Sequence, residues 1–152
     1  MPLTSWSVKP FAELTAAELY AILRLRSEVF VVEQQCVFLD MDNKDQQCYH
    51  LMGWQDELLA ASTRLVPPGI SYELPSIGRV VSSPLVRGTG IGRELMQKSI
   101  DEVKLRWETY DIKIGAQLYL KQFYNSLGFE QTSTIYLEDN IEHIEMIRYN
   151  SR

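Results

Sequence analysis

Cysteine is scarce: only Cys36 and Cys48 occur among the 152 residues. A disulfide framework is therefore not expected, and a reducing, cytoplasmic setting is the default reading. Long apolar runs are also missing. No stretch approaches the roughly 20 residues needed to cross a bilayer, so no membrane association is expected. The segment Met1-Pro2-Leu3-Thr4-Ser5-Trp6 lacks the basic region and apolar run of a signal peptide. Positive charge is not in excess either: the formal net charge is −5, with the acids spread along the chain. Such a chain gains no attraction to a phosphate backbone, so nucleic acid is not an expected partner. An amine or other cation would be steered favourably. Repeats, low-complexity tracts and linkers are absent, which leaves one continuous domain over residues 1–152.

What is present reads as an α+β order. A short strand near Trp6–Val8 comes first. Thr15-Ala16-Ala17-Glu18 then spells a capping box, in which hydroxyl and carboxylate satisfy free amides at a helix start. Leu19, Ile22, Leu23, Arg26 and Phe30 follow at helical spacing, all but Arg26 expected to face the core. Val31 to Gln47 reads as a loop with room for a short second helix. His50 to Gln55 and Leu58 to Leu65 form a hairpin about Asp56-Glu57, and Ile77 to Ser82 is the next strand. Beyond Gly88-Thr89-Gly90 runs a long helix with Ile91, Leu95, Met96, Ser99, Val103 and Trp107 on one side. A strand at Lys113–Ala116, a helix from about Tyr119 to Leu127, and strands Glu130–Leu137 and His143–Tyr149 complete the chain.

The most informative segment is Arg87-Gly88-Thr89-Gly90-Ile91-Gly92, where a strand and a turn run into a helix. Glycine permits positive φ and removes the side chain that would block a ligand. The first helical turn offers unpaired N–H groups and the positive end of the dipole, which suits a pyrophosphate. A tight turn alone would account for any one of these glycines. Three of them, framed by Arg87 and Arg93, favour an anion site. Spelling excludes two nucleotide motifs. A P-loop needs Lys and then Ser or Thr where this chain has Arg93-Glu94, and a dinucleotide fingerprint needs glycine at position 93.

Arg87-Gly88-Thr89-Gly90-Ile91-Gly92 resembles the signature of the GNAT N-acetyltransferases. It follows the strand Gly78-Arg79-Val80-Val81-Ser82 and precedes Phe123-Tyr124-Asn125-Ser126-Leu127-Gly128-Phe129, which is similar to the last helix of the GNAT acetyl-CoA site. Arg26–Gln34, Ala116-Gln117, Tyr136-Leu137-Glu138-Asp139 and His143-Ile144 resemble one branch, the ElaA-type family. The resemblance implies the GNAT acyl-CoA N-acyltransferase fold: a mixed, mostly antiparallel sheet of six to seven strands, splayed open in a V and flanked by about four helices. It implies that acetyl-CoA lies in the cleft as co-substrate. The pantetheine would run along Val80, Val81 and Ser82, and the pyrophosphate would sit on the amides from Gly88 to Arg93. Gln117 would stand in for an Asn that many members carry where this chain has Leu118. Tyr124 would be the general acid.

Acetyl transfer to an amine requires a base, an amide donor for the oxyanion near Val81, an acid for the leaving thiolate, and both substrates held in line. Glu33 is the candidate base if burial at a helix end raises its pKa; a solvated loop carboxylate is the equal alternative reading. His50 and His143 can exchange a proton near neutral pH, although a structural hydrogen bond is the simpler reading of each. Asp40, Asp42 and Asp45 do not spell an EF-hand, since Asp45 and Leu51 stand where Gly and Glu are required. They are expected to cap turns or attract a cation. Cys36, Cys48 and His50 lack paired zinc spacing, so no metal is expected. The expected partners are acetyl-CoA and an amine-bearing acceptor, with a homodimer left open. The alternative from another class is a catalytically silent CoA sensor with the same fold.

Overall fold

The computed structural model describes residues 3–107 and 111–150; Met1 and Pro2, part of the N-terminal segment read above, lie outside them. Among the described residues, eight strands form two antiparallel sheets. The first has the order β1-β2-β3-β4, from β1 (Ser5–Pro10), β2 (Tyr49–Gln55), β3 (Leu58–Val66) and β4 (Ser76–Ser82). In the second, β8 (Ile141–Arg148) pairs on one side with β5 (Ile112–Gln117) and on the other with β6 (Phe129–Gln131) and β7 (Tyr136–Glu138). Three α-helices accompany them among the described residues: α1 (Ala16–Arg26), α2 (Ile91–Arg106) and the short α3 (Lys121–Asn125). The α+β expectation holds, with eight strands where six to seven were expected and three helices where about four were expected.

The N-terminus of α1 is set by the expected capping box. Thr15 Oγ accepts from the Glu18 amide at 3.1 Å, and the Thr15 amide donates to Glu18 Oε1 at 2.9 Å. Beyond Arg26 the helix does not stop. Ser27–Glu33 continues in wider π-type turns, with the Gln34 and Cys36 amides reaching back to the carbonyls of Val29 and Val31. π-type turns are often found at functional sites. The extra winding brings Glu33, at its end, to the mouth of the cleft described below.

Successive residues of a strand face opposite sides of a sheet. Leu51 of β2 packs under Ile91 and Leu95 of α2, while Met52 packs under Ile22, Leu25 and Val29 of the α1 stretch. The first sheet is thus sandwiched between helices. The largest core cluster joins the two sheets: Met96, Ile100 and Val103 of α2 meet Leu65 and Ile77 of the first sheet and Ile112, Ile114, Ile144 and Met146 of the second. Ile100, absent from the face read off the sequence, is fully buried there. Ser99, the one polar residue on that face, bonds Thr63 of β3 at 2.8 Å and the Leu95 carbonyl at 2.8 Å. Its burial therefore leaves no orphan hydroxyl.

One expected strand is two. Glu130–Leu137 breaks between β6 and β7, where the Glu145 amide bonds the Ser133 hydroxyl at 2.8 Å instead of a backbone carbonyl. Ser and Thr hydroxyls compete with the ladder in this way. Asp139 and Asn140, at φ 51° and 64°, then form the tight turn into β8.

Candidate active site

β4 and β5 belong to different sheets yet touch at one end. The Lys113 amide donates to the Pro75 carbonyl at 3.0 Å, at the start of both strands. From there the two strands form the walls of an open cleft of about 1020 Å³. Val80, Val81 and Ser82 line one wall, and Ile114, Gly115, Ala116 and Gln117 line the other.

The β4 wall is irregular. Val81 pairs with Ser62 of β3, while Gly78 pairs with Arg64, so three steps on β4 oppose two on β3. Arg79 absorbs the mismatch at φ 50°, in the left-handed region. A bulge of this kind bends a strand and frees a backbone group from the ladder. It lies immediately before Val80-Val81-Ser82, on the cleft.

After β4, a turn at Pro84–Val86 leads to the glycines. Ser83 Oγ accepts from the Leu85 amide, and the Thr89 hydroxyl donates to the Val86 carbonyl at 2.6 Å. Gly88 and Gly90 take φ 79° and 84°, and a Cβ at either would meet nothing within 4 Å. The conformation, not crowding, demands glycine here, and the space above stays open. The first α2 bond runs from the Glu94 amide to the Gly90 carbonyl, leaving the Ile91, Gly92 and Arg93 amides without helical partners.

Neither flanking arginine is idle. Arg93 donates to the Ser126 hydroxyl at 2.6 Å, tying α2 to the end of α3. Arg87 grips Glu33 with both terminal nitrogens, at 2.5 and 2.7 Å. This overturns the reason for assigning Glu33 as base. Its carboxylate is exposed, and the Arg87 hydrogen bonds hold it below the usual carboxylate range. A carboxylate so held accepts a proton poorly, and that role is not carried forward. The pair instead clasps the helical stretch ending at Glu33 to the glycine turn.

On the opposite wall, Gln117 closes β5 and exchanges amide hydrogen bonds with Gln34 at 3.4 Å. The chain then turns into α3, which carries Tyr124. That residue is 5% exposed, packs edge-on to Phe123 and Phe129, and still lines the cleft. No described residue hydrogen-bonds its hydroxyl. Burial pushes its pKa above the ordinary phenol value.

Asp42 caps a turn as expected, accepting from the Lys44 amide at 3.1 Å, and all three aspartates also engage arginines. Arg26 is buried, contrary to its expected outward position. It bonds Asp40 through Nε at 2.8 Å and Asp45 through both terminal nitrogens, at 2.9 and 3.1 Å. Arg64 bonds Asp42 at 2.8 and 2.6 Å and Asp45 at 3.1 Å. Arg79 completes the set, bonding the Asp40 carbonyl at 2.7 Å and lying 2.9 Å from Asp40 Oδ1, off the hydrogen-bond direction. Three arginines and three aspartates thus cancel in one network that fixes the loop before β2 against the bulged β4. Burial alone would raise the Asp42 and Asp45 carboxyls, but the arginine hydrogen bonds outweigh it and hold both well below their usual range. The sequence signal was available in Arg26, a cation at a core position of the α1 period.

The two histidines divide. His50 is buried away from the cleft, contacts the Asp45 carbonyl at 2.9 Å, and is disfavoured as a cation by that burial. His143 lines the cleft, cross-strand from Gln117. Both cysteines are free thiols, and among the described residues no group of three His, Cys, Asp or Glu is placed to hold a metal ion. No described helix is long and apolar enough to cross a membrane.

Comparison with known proteins places this geometry among relatives. Residues 26–149 match the model of an acetyltransferase (GNAT) domain. A UPF0039 protein of Synechocystis sp. is 40% identical over 144 residues, covering 94% of both chains. Protein ElaA of Escherichia coli is 38% identical over 94% of this chain and 95% of its own. The crystal structure of that protein superposes with a TM-score of 0.91, covering 97% of this chain and all of the other. An acyl-CoA N-acyltransferase from Pseudomonas aeruginosa superposes at 0.92 with 41% identity, over 96% and 99% of the two chains.

Proposed function

The chain belongs to the GNAT acetyltransferase family, in the branch of ElaA, and from that premise we propose that it transfers the acetyl group of acetyl-CoA to a primary amine of a small molecule or peptide. The observation that carries this reading is the cleft between β4 and β5, which ends at the open glycine turn and the unpaired amides of α2. A long, anionic, extended thioester suits such a site.

The residues present fit that donor. The amides from Gly88 to Arg93 would hold the pyrophosphate, with Arg87 adding charge-assisted bonds once it turns from Glu33. Val80, Val81 and Ser82 would bond the pantetheine amides as an added strand, and Gln117 would contact it from the other wall. A backbone amide of the bulged stretch would donate to the thioester oxygen as charge develops there. Tyr124 would give its proton to the departing sulfur, and its burial keeps that proton in place until the sulfur carries charge.

Calorimetric titration with acetyl-CoA tests the donor site, and thiol release over a panel of amines tests turnover. Saturable binding with amine-dependent release is the expected result. Binding without release from any amine would favour a silent CoA sensor, and no binding at millimolar acetyl-CoA would overturn both. Glu33→Gln gives a finer check. Freed from its carboxylate, Arg87 should hold the donor about two- to fivefold more tightly, a small gain because exposed ion pairs contribute little. The acetyl-CoA dissociation constant reads this directly; a weaker complex would mean that Glu33 itself orders the site.

A further inference from the structure

Direct transfer requires that the acceptor, an ammonium ion at neutral pH, lose a proton before it attacks. Two of the four acids lining the cleft are unavailable for this. Glu33 is held by Arg87, and Asp42 is held by Arg64. His143 is not so held. Its Nδ1 lies 2.7 Å from the Ile141 carbonyl, and a carbonyl oxygen cannot donate, so Nδ1 carries the proton. In the neutral ring the lone pair is therefore on Nε2. That atom lies 3.5 Å from Glu138 Oε2, so a proton arriving on Nε2 meets a carboxylate counter-ion. Tyr136 stacks on the ring at 5.8 Å and fixes its plane, and Gln117 faces it across the β5–β8 ladder. The groups that face the imidazole are thus Glu138 and Tyr136 from β7 and Gln117 from β5. Glu138 is its only ion-pair partner among the described residues. A ring with a fixed tautomer, a fixed plane and a counter-ion on its free nitrogen is arranged as a proton acceptor.

We propose that His143, backed by Glu138, is the general base that deprotonates the acceptor amine; this rests on the acetyl-transfer reading of the same cleft. Nε2 takes one proton from the ammonium group and passes it to solvent. The freed lone pair forms the C–N bond as the C–S bond breaks. The sulfur receives the Tyr124 proton, and the second proton lost by nitrogen restores Tyr124 through water. Nothing is oxidised or reduced.

The test is kcat/KM against pH for the wild type, His143→Gln and Glu138→Gln with two acceptors. n-Butylamine is an ammonium ion at neutral pH, whereas methoxyamine is already neutral there. With n-butylamine, His143→Gln is expected to lose about 100-fold or more and the acidic limb of the profile with it. With methoxyamine the loss should shrink to a few-fold, which a purely structural role would not produce. Glu138→Gln removes an exposed carboxylate and carries the test even if His143→Gln fails to fold. Without its counter-ion the proton arriving on Nε2 is less well received, so kcat/KM with n-butylamine should fall several-fold while that with methoxyamine changes little. Equal losses with both amines in either variant would overturn the assignment while leaving acetyl transfer intact. No thiol release by the wild type with these or any other amine of the panel, despite acetyl-CoA binding, would overturn the function and this inference together.

Discussion

Replacing Arg26 with methionine is expected to destabilise the protein by about 3–5 kcal/mol at neutral pH, the range for removing one partner from a buried ion pair. The Arg26 side chain is 2% exposed, and its partners Asp40 and Asp45 are 7% and 8% exposed. Methionine fills much of the same volume, so the loss would come from the aspartates left behind rather than from a cavity. Asp40 keeps a contact with Arg79 and Asp45 keeps Arg64, which favours the lower end of the range. Urea unfolding measures the deficit, and the melting temperature should fall by roughly 10 °C.

The pH dependence separates charge from packing. Asp42 and Asp45 have carboxyls lowered in the folded state, so their contribution is fully present above the unfolded carboxylate value of about 4 and is lost as pH falls below it. The wild type should therefore weaken in acid. In Arg26→Met the balance shifts, because a protonated aspartate needs no counter-cation. The deficit should be greatest at neutral pH and shrink towards pH of about 4. A deficit that stayed constant would show that the arginine stem, not its charge, was the missing element.

That network also marks where the sequence stopped being legible. Local signals read well: the Thr15–Glu18 capping box, the Asp56-Glu57 hairpin, the apolar face of α2 and the glycine turn each depend on residues a few positions apart. Arg26 was placed outward because a cation on a helix is usually solvated. Its core position on the α1 period is visible, but the aspartates that pair with it lie 14 and 19 positions away, which periodicity cannot register. The division of β6 from β7 depends on one hydroxyl, Ser133, winning a bond from a strand partner. The clasp between Glu33 and Arg87 spans 54 positions and requires the π-type winding after Arg26. The opening between β4 and β5 was read from family resemblance, because no local pattern states that two strands will fail to pair. The candidate site was thus legible where it is built from one segment, as at the α2 start, and illegible where chemistry is set by a distant partner, as at Glu33.

Tyr124→Phe is expected to lower kcat by about 100-fold or more while leaving acetyl-CoA binding and stability nearly unchanged, the pattern for loss of a group that acts only as the sulfur leaves. The ring is wedged against Phe123 at 5.2 Å and Phe129 at 5.9 Å, and phenylalanine keeps those contacts. No described residue hydrogen-bonds the hydroxyl, so its removal strands no partner. These features make the substitution nearly silent in unfolding experiments, and a large loss in kcat must then come from the proton itself. Thiol release under saturating substrates measures it, with calorimetry as the control for donor binding. Unchanged turnover would make Tyr124 a core aromatic whose hydroxyl merely reaches the cleft, and the proton for sulfur would have to come from water. A loss confined to KM would instead assign the hydroxyl to holding the donor. Only a loss in kcat fits a buried phenol that keeps its proton until the C–S bond breaks.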